Sequence, residues 1–117
     1  MDYQTAEAIL KSRDWEIKFG PEARRRKNVF EQIAWMRSAA SSRTKLPAEF
    51  HQVWLALTGE LRRLADVHEH ALMVDLHVKR GKSWPQVATA LAMEKSRQAL
   101  TKRWKRLNGE FPQDRLP

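Results

Sequence analysis

Apolar residues recur along most of the chain at intervals of three and four, which is the spacing of one face of an α-helix. Only four glycines and five prolines interrupt this pattern, so it predicts an all-α protein. We expect a first helix to follow an Asp2 N-cap and to end near Ser12. Its apolar side consists of Tyr3, Ala6, Ile9 and Leu10.

Beyond this helix, three large apolar residues alternate with charged ones: Trp15, Ile17 and Phe19. A period of two is typical of extended chain. Since the sequence offers no partner strand, we predict an extended loop that ends at the Gly20 and Pro21 break.

A second helix is predicted from Pro21 to about Ala40, because proline suits the first helical turn. Its apolar stripe consists of Val29, Phe30, Ile33, Met36 and Ala40. Its first two turns would carry four consecutive cations, Arg24, Arg25, Arg26 and Lys27. Cations near a helix N-terminus oppose the macrodipole by about 0.3–1 kcal/mol each. We therefore interpret this block as a set of phosphate contacts, with a solvated basic face as the alternative.

A small, polar and basic stretch at residues 38–45 is the predicted linker, and a long helix is predicted from Pro47. Its apolar residues are spaced by four and three like a coiled-coil seam: Phe50, Trp54, Leu57, Leu61 and Leu64. This spacing is lost near Ala65, so either two helices meet there or one long helix changes partners. The seam is explained by internal packing or by a homodimer formed through residues 47–64.

The C-terminal part has clear helix boundaries. Gly81 has the position of a C-terminal cap, and Ser83 with Gln86 forms a capping box for a helix that starts at Trp84. Its inward face would consist of Trp84, Val87, Ala88 and Leu91, and residues 92–95 would form a turn.

The last helix, predicted at about residues 95–108, separates into two faces. We expect Leu100, Trp104 and Leu107 to pack inward, with Ala99 alongside them. The opposite face is polar and basic, with no acidic residue after Glu94. Such a helix fits a major groove, where Arg, Lys and Gln side chains bind base edges and flanking cations bind phosphates.

The segment SWPQVATAL followed by SRQAL resembles a tri-helical helix-turn-helix domain. It resembles bacterial regulators whose motif runs SW, two residues, IA, then ALGVSRQA. It is also similar to Myb-like repeats, whose recognition helix ends in Arg-Trp, as Arg103 and Trp104 do here. Glu94 and Lys95 are extra turn residues relative to the bacterial motif.

The resemblance covers residues 72–107 and implies that the third helix contacts DNA. The groove contacts would be Ser96, Arg97, Gln98, Thr101, Lys102 and Lys105. The phosphate contacts would be Lys82, Lys95, Arg103 and Arg106, joined by Arg24, Arg25, Arg26 and Lys27.

Composition and charge favour the same partner. The chain has 117 residues and a net charge of +8, which attracts polyanions. Residues 21–46 carry seven Lys or Arg against two Asp or Glu, and residues 81–117 carry eight against three. The absence of cysteine excludes disulfides, thiolate zinc sites and a Cys nucleophile. With no long apolar run and no signal-peptide pattern at the start, we expect a cytoplasmic, nucleoid-associated protein without membrane contact.

Neither enzymatic activity, nor a cofactor, nor a small-molecule substrate is expected. His70 and His77 are two turns apart, whereas a metal pair needs a spacing of three or four. Asp66 and Glu69 lie near His68, but a solvated helix face explains them better than an acid-base cluster.

The sequence therefore predicts an all-α protein whose C-terminal tri-helical helix-turn-helix bundle carries an N-terminal helical extension. The expected parts are a basic helical segment (1–46), a connecting or dimerising helix (47–64), the DNA-binding domain (65–108) and a tail (109–117). The expected function is sequence-dependent binding of double-stranded DNA by a small bacterial, phage or plasmid transcriptional regulator. The alternatives are a nucleoid-type architectural protein and a helical adaptor that binds a protein through Trp54, Leu57, Leu61 and Leu64.

Overall fold

The computed structural model describes residues 1–91 and 97–110, except for the side chains of Arg97 and Gln98. These residues form helices and short connections without a strand, so the prediction of an all-α fold is confirmed. The α-helices are α1 (Tyr3–Leu10), α2 (Arg13–Phe19), α3 (Val29–Ser41), α4 (Ala48–Met73), α5 (Trp84–Ala90) and α6 (Arg97–Glu110). A 3₁₀ turn, Ala23–Arg25, precedes α3, and a π-helical segment, Val74–Lys79, follows α4.

The chain forms two compact units, which we call unit 1 (Met1–Arg63) and unit 2 (Leu64–Pro117). The division falls inside α4, which runs without a break from Ala48–Met73. Of the two arrangements that the sequence allowed near Ala65, one long helix is therefore the one observed.

In unit 1, α1 has the predicted N-cap. Asp2 Oδ1 accepts a hydrogen bond of 2.8 Å from the backbone N–H of Thr5. This bond satisfies one of the backbone donors that a helix start leaves without an intrahelical partner. Ala6 and Leu10 are buried, as the apolar pattern predicts.

The predicted extended loop at residues 15–19 is wrong, because these residues form α2. Ser12 Oγ accepts from the backbone N–H of Trp15 and caps the helix. Trp15 and Phe19 are one helical turn apart, with ring centroids 4.5 Å from each other, while Ile17 is 74% exposed. The alternation in the sequence therefore does not place the three residues on one face.

The second helix begins later than predicted. The side chain of Asn28 caps α3 by accepting from the backbone N–H of Glu31 at 3.0 Å, so the helix starts at Val29 and not at Pro21. Residues 24–27 consequently precede α3, and the macrodipole argument for them does not apply. The predicted stripe is also wrong at Phe30, which is 60% exposed. The helix continues to Ser41, into the predicted linker.

Gln32 is fully buried on α3 and is held by polar partners. Its Nε2 donates to Glu7 Oε2, and its Oε1 accepts from the Tyr3 hydroxyl, both at 2.9 Å. The hydrogen bond from Gln32 lowers the pKa of Glu7, and burial raises the pKa of Tyr3 to about 12.

The N-terminal half of the predicted seam packs inside unit 1. Phe50 and Leu57 are fully buried, and the Phe50 ring stacks on Trp15 with 5.6 Å between centroids. Trp54 and Leu61 are half-buried. This burial supports internal packing of the seam, and a homodimer through residues 47–64 remains a prediction.

In unit 2, the end of α4, the π-helical segment, α5 and α6 share one hydrophobic core. Its buried members are Met73, Trp84, Val87, Leu100 and Leu107. The predicted capping box is present, since Ser83 Oγ accepts from Gln86 N–H and Gln86 Oε1 accepts from Ser83 N–H. Gly81 has a φ of +64°, the left-handed conformation that favours glycine after a helix.

The inward face of the last helix is largely as predicted. Leu100 and Leu107 are fully buried, Trp104 is half-buried, and Ala99 is exposed instead of packed. The helix extends to Glu110, two residues beyond the prediction. The predicted turn at residues 92–95 lies outside the described residues.

Candidate nucleic-acid interface

The outer face of α6 carries exposed cations. A helix turns by 100° per residue, so Lys102 and Lys105 lie on the side opposite the buried Leu100 and Leu107. Both lysines are exposed. This burial pattern leaves a basic surface on the side of α6 away from the core of unit 2.

The arginines that flank this surface form ion pairs with carboxylates. Arg103 Nη2 lies 3.0 Å from Asp66 Oδ1, and Arg103 also donates to both carboxylate oxygens of Glu69. The hydrogen bond to Glu69 raises the pKa of Arg103 above its ordinary value. Arg106 lies 3.5 Å from Asp66 and 2.9 Å from Glu110. The sequence has no acidic residue at positions 95–108, but α4 supplies the carboxylates of Asp66 and Glu69 to this flank of α6.

A buried histidine also fixes α6 to α4. His70 is fully buried, and its ring stacks on Trp104 with 5.3 Å between centroids. His70 Nε2 lies 3.2 Å from Asn108 Oδ1, within hydrogen-bond distance. The sequence contained a signal for this role, because His70 follows Val67 by three residues and precedes Met73 by three, on the apolar stripe of α4.

A second histidine positions the segment before α5. The His77 ring stacks on Trp84, with centroids 4.0 Å apart and planes inclined by 16°. His77 Nδ1 donates to the carbonyl oxygen of Lys82 at 2.7 Å. The stacking and this bond hold the backbone at Lys82, whose side chain is half-buried.

The remaining predicted groove residues are placed only in part. Thr101 is half-buried next to the exposed Lys102. Arg97 and Gln98 belong to the first turn of α6, but their side chains lie outside the described residues, as do Lys95 and Ser96 entirely.

The four cations of residues 24–27 differ in their surroundings. Arg24 forms an ion pair of 2.8 Å with Glu16. Arg25 and Lys27 are exposed, whereas Arg26 is half-buried. Unit 1 therefore does not present four equivalent phosphate contacts.

Over the described ranges, no three His, Cys, Asp or Glu residues lie close enough together to hold a metal ion. No helix in these ranges has the length and apolar character needed to cross a membrane. Comparisons of the chain with protein-family models, with curated proteins and with solved structures find no match. Inferences about function therefore rest on the residues and their geometry.

Proposed function

We propose that unit 2 is a helix-turn-helix domain that binds double-stranded DNA in a sequence-dependent manner, with α6 in the major groove. The observation that carries this proposal is the division of α6 into a buried apolar face and an exposed face with Lys102 and Lys105. A helix that enters the major groove needs such a free polar face.

The contacts between α6 and α4 support the proposal. A recognition helix reads base edges only when its side chains are held at defined positions. The ion pairs of Arg103 with Asp66 and Glu69, together with the stacking of Trp104 on His70, hold α6 from its inner side. Among the described residues, these contacts involve the inner side of α6, while Lys102 and Lys105 on its outer side are exposed.

The structure changes which cations we assign to phosphates. Arg103 and Arg106 are engaged with carboxylates, so we assign them to the support of α6. The groove contacts in the proposal are Ser96, Arg97, Gln98, Thr101, Lys102 and Lys105, with Lys82 and Lys95 on phosphates. These two phosphate contacts would make the affinity fall by about one order of magnitude between about 50 and 200 mM salt.

This function suits a small transcriptional regulator. The test begins with selection of duplexes bound by the full chain from a random library. Affinities for the selected duplex and for a random duplex are then measured at one salt concentration, since the ratio of the two defines specificity.

The variants separate a contact that reads a base from one that contributes only charge. Lys105→Ala removes a groove-facing cation that reads no base, so it is expected to weaken binding to both duplexes alike. Gln98→Ala is expected to reduce discrimination by about 1–3 kcal/mol. Lys79→Ala is the matched control, since it removes one exposed lysine from the π-helical segment, and we expect it to change the affinity less than Lys105→Ala does. Equal affinity for the selected and random duplexes would refute sequence-dependent binding and indicate an architectural protein.

A further inference from the structure

A cavity of about 320 Å³ lies beside α3 in unit 1. We call it the Arg26 notch, after the one cation among the residues that line it: Arg26, Glu31, Ala34, Trp35 and Ser38. Its volume is at the lower end of the range for small-ligand pockets, roughly 300–1,000 Å³. We propose that the Arg26 notch binds a nucleotide, with the phosphate on Arg26 and the base against Trp35. This inference concerns unit 1 and does not depend on the DNA contacts proposed for α6.

Arg26 supplies a cation to the notch. Its side chain is half-buried, and its Nε is buried without a hydrogen-bond partner. Within residues 1–91 and 97–110, no carboxylate forms an ion pair with it, although Arg24, two residues earlier, pairs with Glu16 at 2.8 Å. Partial burial of an unpaired charge is costly, and an anion in the notch would remove this cost.

Trp35 supplies an aromatic surface on the same cavity. The ring is half-buried and is held from inside unit 1 by Trp15 and Phe50, with centroids 6.2 and 6.4 Å away. A fixed, partly exposed indole is a suitable platform for stacking of a nucleobase. Ser38 also lines the cavity, and its side chain carries a hydroxyl that can donate a hydrogen bond.

Glu31 distinguishes a nucleotide from a simple anion. Its carboxylate accepts from the backbone N–H of Lys27 at 2.6 Å, which fixes the group at the notch. A bare phosphate would be repelled by this carboxylate, because both are negative. In a nucleotide, the phosphate and the base lie at opposite ends. The phosphate can bind Arg26 while the N–H groups of the base donate hydrogen bonds to the Glu31 carboxylate, so one ligand satisfies both residues.

The nucleotide could be free in solution or an unpaired unit of a single strand. Arg25 and Lys27 flank Arg26 and are exposed, which suits the further phosphates of a strand. The two sources share the same phosphate and base, so the experiment needs both kinds of probe.

The test measures binding of AMP, ribose 5-phosphate, inorganic phosphate and a fluorescent oligo(dT) to the full chain. We expect AMP or the oligonucleotide to bind, and Arg26→Gln to weaken that binding by about tenfold. Arg37→Gln is the matched control, because it removes the same charge from an exposed position on α3 outside the notch. Binding of AMP identifies a free nucleotide, and binding of the oligonucleotide alone identifies a single strand.

Three results would overturn the proposal: no binding of either nucleotide probe up to about 10 mM, binding of ribose 5-phosphate or inorganic phosphate as tight as that of AMP, or equal losses in Arg26→Gln and Arg37→Gln. The nitrogen-bound proton at Arg26 Nε gives a second readout by NMR in the unmodified chain, and it should shift when the ligand binds. The double variant Lys102→Ala, Lys105→Ala removes the exposed lysines of α6 and should still bind the nucleotide. Nucleotide binding by this variant shows that the test of the notch is independent of the DNA contacts proposed for α6.

Discussion

Replacement of Arg103 by glutamine distinguishes its two possible roles, phosphate contact and support of α6. The side chains of Arg103, Asp66 and Glu69 are only 26–29% exposed, and Arg103 contacts both carboxylates. Removal of the cation leaves the partly buried Glu69 without its counter-charge and leaves Asp66 with Arg106, 3.5 Å away. Loss of one partner from a fully buried pair costs about 3–5 kcal/mol, and exposed pairs contribute about 0–1 kcal/mol. For this intermediate burial we expect Arg103→Gln to lower the free energy of unfolding by about 1–3 kcal/mol.

The assay is urea unfolding of the full chain, followed by circular dichroism, together with the salt dependence of DNA affinity. Arg80→Gln is the control, since Arg80 pairs with Asp75 at 2.8 Å while 64% exposed, and we expect it to cost less stability than Arg103→Gln does. Under conditions in which the variant is folded, Arg103→Gln should leave the salt slope unchanged. Unchanged stability together with a slope that is smaller by about 0.9 would refute the support role and restore Arg103 as a phosphate contact.

Three further predictions concern the fold and its pH dependence. Ser83→Ala should lower the unfolding free energy by about 1 kcal/mol in urea titration, because it removes the cap of α5, and no loss would contradict the cap. Ile17→Lys should change the unfolding free energy by less than about 0.5 kcal/mol, because Ile17 is exposed. Trp15→Ala should cost about 3–5 kcal/mol, because Trp15 is buried. Similar costs for the two variants would contradict α2. The pKa of Glu7 lies below its ordinary value of 4.5 because Gln32 donates a hydrogen bond to its carboxylate. The stabilising contribution of Glu7 is therefore present above pH 4.5 and is lost as the pH falls through the pKa of the folded state. Glu7→Gln should therefore lose stability relative to wild type at neutral pH, with a smaller difference at about pH 3, and a difference independent of pH would contradict this assignment.

The sequence predicted those features that depend on neighbouring residues. The capping box of Ser83 and Gln86 lies within one turn, and the spacing of Leu100 and Leu107 is visible in a single helix. α2 has only seven residues, too few for a helical period to outweigh an apparent alternation. The N-cap at Asn28 was missed because Pro21 offered an earlier start.

The features that the sequence did not reveal depend on residues far apart in the chain. Arg103 and Glu69 are separated by 34 positions, so no local pattern shows that the flank of α6 meets carboxylates. Arg24 and Arg26 belong to one basic run in the sequence. Their different surroundings likewise arise only when the chain has folded. Charge runs in the sequence therefore identified basic segments but not which cations are available to a ligand.

The most direct test of the account is an NMR titration of the full, isotopically labelled chain with its selected duplex. We predict that the largest backbone amide shifts occur in α6 around Lys102 and Lys105, and that the core residue Leu107 shifts less. Shifts confined to unit 1, or none in α6 at duplex concentrations that saturate binding, would contradict the claim that α6 reads DNA.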